Sequence, residues 1–273
     1  MSVVNGLLRP LFDTLLLPFR SLPPIVGLLV VSLVASIGML LVFKRTSNQA
    51  KLEAVKRQIH ACLFEIRLFS DDLPAILRAQ MEILRHNLRY VALSAVPMLW
   101  MLVPLLFVIA QLEYHYGYRG LRPGEDFIVK ARLKEDPQTR PAASLEAPPG
   151  LEVATPAVWI PAERELAWRL RAQQWGDYDL KLRLDGQEYS KTAQVSPQVR
   201  RRSPERYEPK FWNQVLHPAE PPLPKESPVA SIALSYPEGS VSIFGWNVNW
   251  LIAFFVLSVA FAFALRGRMG VTL

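Results

Sequence analysis

Three patterns of hydrophobic and polar positions follow one another along this chain. Between residues 46 and 89, apolar or small side chains recur in steps of three and four. They are Leu52, Val55, Ile59, Cys62, Ile66 and Phe69, then Leu73, Leu77, Met81, Leu84, Leu88 and Val91. Such spacing holds a stripe on one face of a helix. Ser70, Asp71, Asp72 and Pro74 separate the two stripes. They supply helix-capping side chains, acidic charge for a first turn, and a proline where a first turn tolerates it. The expectation is an antiparallel coiled-coil hairpin over 44–89 whose two stripes bury each other.

The second pattern is the long apolar run. Ile25–Phe43, Tyr90–Leu112 and Val248–Leu265 contain no charged side chain. Each is long enough to cross a hydrocarbon core of about 30 Å, and with so few segments each crosses as a helix. Transmembrane helices are therefore expected at 25–43, 90–112 and 248–265. No helix breaker separates Leu88 from Val91, so one helix is predicted to run from the hairpin into the second span. Pro97 and Pro104 each remove a backbone donor and are predicted to kink it or to leave a carbonyl free. Leu7, Leu8, Leu11, Phe12, Leu15 and Leu16 follow helical spacing among Arg9, Pro10, Asp13 and Arg20, predicting an interfacial amphipathic helix within 1–24. Lys44 and Arg45 follow the first run directly, which marks an anchor rather than a cleaved signal peptide. Together with Lys51, Lys56 and Arg57, and with Arg266 and Arg268 after the third run, they predict the orientation. The N-terminus lies outside, and the hairpin and the 266–273 tail lie in the cytoplasm of a bacterial inner membrane.

The third pattern is alternation with period two. Phe127, Val129, Ala131 and Leu133 form one such run, Leu166, Trp168, Leu170 and Ala172 a second, and Tyr178, Leu180, Leu182 and Leu184 a third. Each predicts a half-buried antiparallel strand. Asp185-Gly186 is a hairpin-turn signal, and Gly176-Asp177-Tyr178 resembles a strand entry carrying a corner tyrosine. Six or seven strands are expected between Asp126 and Val195. They make 113–195 an extracytoplasmic, immunoglobulin-like β-sandwich inserted between the second and third spans. Eight prolines and the Arg200-Arg201-Arg202 run then predict an extended linker over Ser196–Pro228, with one helical turn around Phe211–Val215 and a solvated or lipid-facing basic patch. Val229–Tyr236 and Ser240–Phe244 are expected to form a final strand pair, completing the 196–247 segment.

Composition changes little in this picture. The fold class is an α-helical integral membrane protein with three spans, a cytoplasmic hairpin and an inserted β domain. The formal net charge of +7 fits basic residues meeting anionic lipid headgroups. Membrane lipid is thus an expected partner, and no specific nucleic-acid site is indicated. Cys62 is the only cysteine and falls on the hairpin stripe, where it reads as a packing residue. The four histidines share no ligand spacing, no phosphate-binding loop or catalytic constellation is legible, and no carboxylate lies inside a span. The expectation is therefore a non-enzyme with no metal or cofactor. The polar groups in or beside the spans are the remaining candidates: Ser32, Ser36, Ser94 and Ser258, with Arg89 one residue before the second span. If they share a face, they line a groove that shortens the path of a polar segment through hydrocarbon.

This arrangement of span, hairpin, continuous second span and third span resembles the YidC/Oxa/Alb superfamily of membrane protein insertases. It is most similar to the small three-span branch related to the third subunit of the ER membrane protein complex. The residues carrying the resemblance are Phe43-Lys44-Arg45-Thr46-Ser47-Asn48-Gln49 after the first span, Leu68-Phe69-Ser70-Asp71-Asp72 at the hairpin tip, and Pro97 with Pro104. The resemblance implies insertion or chaperoning of membrane proteins through a cytosol-facing polar groove. It also implies a hairpin tip, Leu68, Phe69, Ser70, Asp71 and Asp72, that contacts nascent or client membrane proteins or the ribosome. Where many members place a positive residue inside the first span, Ile25–Phe43 has none, and Arg89 is the candidate charge. The alternative reading is a non-catalytic scaffold or assembly subunit binding an envelope partner through its β-sandwich.

Overall fold

A computed structural model describes residues 3–69, 71–135, 141–210, 213, 219–243 and 245–271, with the side chains of 3–8 excepted. Among the described residues five long helices carry the α-helical part: α1 (Val3–Leu16), α2 (Pro24–Thr46), α3 (Gln49–Leu68), α4 (Leu73–Leu112) and α5 (Trp250–Met269). Three of them, α2, α5 and α4 with the π-helical turn that continues it, are long and apolar enough to cross a membrane. The chain divides into two compact units, Met1–Leu28 with Ile109–Ala253, and Leu29–Val108 with Phe254–Leu273.

The second unit holds most of the helical part. Asn48 caps α3 by accepting a hydrogen bond from the Lys51 backbone N–H at 3.1 Å. Asp72 caps α4 by accepting from the Ala75 N–H at 3.2 Å. Both satisfy amide groups that a helix start otherwise leaves without partners. The chain reverses between α3 and α4, so that Cys62 meets Glu82, with 3.8 Å between Sγ and Oε2. At the other end of the arm Leu52 joins Leu40, Phe43 and Val271 in a buried cluster, against which Tyr90, Leu93, Met101, Leu265 and Met269 pack. The Lys44 ammonium donates to the carbonyl of Met269 at 2.7 Å, a cation at the carbonyl-rich end of α5. α4 runs unbroken through Pro97 and Pro104 for 40 residues, about 60 Å.

The first unit is built on two antiparallel sheets sharing one core. Strands β1 (Asp126–Leu133), β2 (Ala143–Glu146), β3 (Leu151–Val153), β4 (Val158–Ile160), β5 (Glu165–Ala172), β6 (Gly176–Leu184) and β7 (Gln187–Val195) meet the sequence expectation in number and place. Beyond them come β8 (Glu205–Tyr207), β9 (Val229–Leu234), β10 (Ser240–Ile243) and β11 (Trp246–Asn249). The larger sheet runs β3-β5-β1-β9-β8, with β4 also on β5, and the smaller runs β2-β6-β7. Phe127, Val129, Ala131, Trp168, Leu170 and Ile232 of one sheet pack with Leu180, Leu182, Tyr189, Ala193 and Val195 of the other. Alternation therefore does here what the pattern predicts, with every second side chain entering the shared core. Asp185 and Gly186, with φ of 48° and 82°, make the two-residue turn between β6 and β7. The Tyr178 hydroxyl donates back to the Gln174 carbonyl at 3.1 Å. It also crosses Gly150, where an added Cβ would lie 2.3 Å from that oxygen and the backbone φ is +105°.

Two expectations for the chain after Val195 change. The stretch expected to be an extended linker contributes β8, which pairs with β9, and buries Leu223 in the shared core. Its prolines interrupt regular structure, but they leave room for a short edge strand, where a missing N–H costs no ladder bond. β9 does not pair with β10 as a terminal hairpin. It enters the large sheet beside β1, and β10 pairs with β11 instead. The helical turn expected around 211–215 lies outside the described residues, apart from Asn213.

Candidate functional site: the exposed face of the longest helix

The two stripes of the hairpin behave differently. On α3, Leu52, Val55 and Cys62 are buried, and Ile59 and Ile66 are half-buried. On α4 the predicted stripe is turned outward. Leu73, Leu77, Met81, Leu84, Leu88 and Val91 are each between 54% and 67% exposed. Between Leu73 and Pro97 the covered residues of α4 are Ala79 and Pro97, and Ile76, Ile83, His86, Tyr90 and Leu93 are among the half-covered ones. These seven positions also step by three and four, on the opposite side of the helix. α4 thus carries two apolar faces, and the one interrupted by Ala79, His86 and Tyr90 is the packed one. Ala79 is fully buried on that face.

The outward stripe is a contiguous run of exposed large apolar side chains, of the kind that marks an interaction surface on a soluble chain. It continues without a break into the span through Met98, Leu102 and Leu106, which are also exposed. One edge of it is basic. Arg78, Arg85 and Arg89 follow at steps of seven and four beside the stripe, while Gln80 and Asn87 border the other edge. The expected tip is partly seen. Leu68, Phe69, Asp71 and Asp72 are exposed, Asp72 serving as the α4 cap, and Ser70 lies outside the described residues. Phe64, 69% exposed, extends the apolar surface onto α3.

The five groove candidates do not share one open face. Ser32 and Ser36 are buried, and the Ser36 hydroxyl bonds the carbonyls of Ser32 at 2.6 Å and Ser258 at 2.9 Å. They are packing residues between α2 and α5. Ser94 is half-buried, and Arg89 is exposed.

One group of possible metal ligands occurs among the described residues: Cys62 Sγ and carboxylate oxygens of Glu65 and Glu82 lie within 4.8 Å of one another. Burial and the neighbouring Glu82 charge push the Cys62 thiol up, which favours the protonated form over the thiolate a metal needs.

A second polar junction, in the β-containing unit, was hidden from sequence reasoning. α4 passes into a π-helical turn, Glu113–Gly117, which buries His115. The His115 Nδ1 bonds the Gln111 carbonyl at 3.0 Å, and its Nε2 lies 3.1 Å from Asp13 Oδ1 on α1. Both neighbours accept, so both contacts are hydrogen bonds when each ring nitrogen carries a proton. Arg201 donates to the same Asp13 oxygen at 3.0 Å and to Gln111 Oε1 at 2.9 Å. Burial pushes the Asp13 carboxyl up, but the His115 hydrogen bond and the Arg201 charge outweigh it and hold the group at about 2. Arg202 is buried on the carbonyls of Tyr118, Ser196 and Gln198, and burial pulls it down to about 10. Arg200 pairs with Asp177 at 2.9 Å. The arginine run is therefore a tie between distant segments and not a solvated patch. Its partner Asp13 lies too far away in sequence for local pattern to show.

Compared with known protein-family models and with curated proteins, the chain finds no match.

Proposed function

We propose that this is a non-catalytic membrane protein with insertase-like or membrane-chaperone activity, receiving apolar helices of client membrane proteins along the outward face of α4. The observation that carries this reading is the continuity of the stripe. The same helix face is apolar from Leu73 in the arm to Leu106 in the span. A client helix moving from water toward hydrocarbon would keep its apolar face covered along that path, lowering the cost of the transfer. The arginine edge would hold acidic side chains of the client at the water boundary. In this reading the α3–α4 arm is cytoplasmic, the N-terminus and β domain lie outside, and the membrane is the bacterial inner membrane. Lys44, Arg45, Arg266 and Arg268 at the ends of α2 and α5 support that orientation. The polar groove is replaced by an apolar track, because Ser32 and Ser36 are buried.

The test is site-specific photocrosslinking during synthesis of a model membrane protein. Probes at Met81, Leu84 and Leu88 should trap nascent apolar segments, and probes at Ala79 and Ile83 should not. Equal trapping from both faces, or none, overturns the proposal. A single stoichiometric protein trapped at every stripe position assigns a scaffold subunit instead.

A further inference from the structure

Four arginines from three separated segments line one cavity of about 220 Å³: Arg9 on α1, Arg20 before α2, and Arg200 and Arg201. Two carboxylates, Asp13 and Glu220, also face it, and both are already engaged. Asp13 is held by His115 and Arg201. Glu220 takes the buried Lys191 ammonium at 2.6 Å and the Thr192 N–H at 3.2 Å. Arg200 is paired with Asp177. Among the described residues, neither Arg9 nor Arg20 has an ion pair. The Arg201 side chain is only 8% exposed, and its Nη1 is buried without a hydrogen-bond partner. A buried guanidinium N–H left open is costly unless an acceptor enters.

From this geometry we propose that the cavity binds a phosphate group. Guanidinium forks arriving from several directions suit the several oxygens of a phosphate better than the two of a carboxylate. Arg20 lies four residues before Pro24, where the apolar α2 begins. That places the cavity at the level of lipid headgroups, so the phosphate comes from an anionic phospholipid or from free phosphate at the membrane surface. Arg201 supplies the fixed donor, and Arg9 and Arg20 close over the ligand.

The test uses the full chain in phosphate-free detergent, titrated separately with inorganic phosphate and with short-chain phosphatidylglycerol. A diglucosyl diacylglycerol, which lacks phosphate, is the control. Saturable binding of either phosphate probe and none of the control is expected. Arg9→Gln and Arg20→Gln should each weaken it roughly tenfold, while Lys181→Gln on the smaller sheet leaves it unchanged. Binding of the phospholipid alone identifies a headgroup site, and comparable binding of inorganic phosphate identifies a site for free phosphate. No saturable binding of either probe by the unaltered chain overturns the proposal, as does equal binding by an Arg9→Gln/Arg20→Gln variant with unchanged thermal unfolding. The unaltered-chain titration decides the question even where a variant fails to fold.

Discussion

Ser36 donates its hydroxyl to the carbonyl of Ser258 at 2.9 Å, linking α2 to α5 across 222 residues. The same O–H is shared with the carbonyl of Ser32 at 2.6 Å, one turn back along its own helix. A hydroxyl that bonds back in this way shields itself and needs no water. Ser36→Ala is expected to destabilise the α2–α5 contact by about 0.6–1 kcal/mol, and Ser36→Leu by more, because the buried site has no room for the larger side chain. In a Cys62→Ala background, Ser36→Cys should resist a water-soluble maleimide and Leu84→Cys should react readily. Fast labelling at position 36 would restore an aqueous groove.

The outward stripe makes a prediction opposite to that of the sequence pattern. If Leu84 lay in the seam, Leu84→Asp would collapse the arm. Because it is 54% exposed, this change should alter unfolding by no more than about 0.5 kcal/mol while abolishing client crosslinks. Ala79→Leu, at a position only 1% exposed, should cost about 1–3 kcal/mol by overpacking. Circular dichroism through the thermal transition of both variants distinguishes the two faces.

The meeting of Cys62 with Glu82 gives a chemical readout of the arm. Glu82→Gln removes a negative charge that keeps the thiol protonated, after burial the second cause of its raised pKa. The thiolate fraction at pH 8–9 should rise, and reaction with a disulfide reagent should quicken. An unchanged rate would separate the two side chains.

Asp13 sets an acid limit for the β-containing unit. Its pKa lies below the ordinary 3.8, at about 2. The stabilisation it contributes is complete above pH 4 and is lost as pH falls through the folded value. Asp13→Asn should therefore be less stable than the unaltered chain at pH 7, because Arg201 and His115 lose a half-buried carboxylate. The gap should close between pH 4 and pH 2. Tryptophan fluorescence during thermal unfolding across that range measures it, and a gap independent of pH would show that the carboxylate charge plays no part.

The strands were legible because β1, β5 and β6 each bury every second residue, and a period of two has one interpretation on a half-buried sheet. The turn at Asp185-Gly186 was legible for a similar reason, since few residue pairs accept positive φ twice in succession. α4 misled because a count of apolar positions weighs leucine above alanine and histidine. The packed face mixes Ile76, Ile83 and Leu93 with Ala79, His86 and Tyr90, and the last three break the hydrophobic pattern. The arginine-lined cavity could not be read at all. Its walls come from residues 9 to 236, and nothing in the neighbourhood of Arg201 points to Asp13.

That separation has a consequence for biosynthesis. Asp13 and Arg201 lie 188 residues apart, and a ribosome adds about 5–20 residues per second. The aspartate therefore emerges roughly 10–40 s before its arginine exists. During that interval α1 has no fixed place on the β domain, and its apolar face must rest on lipid. Assembly of this unit is thus sealed late, when the arginine run arrives and fastens α1 to the β domain.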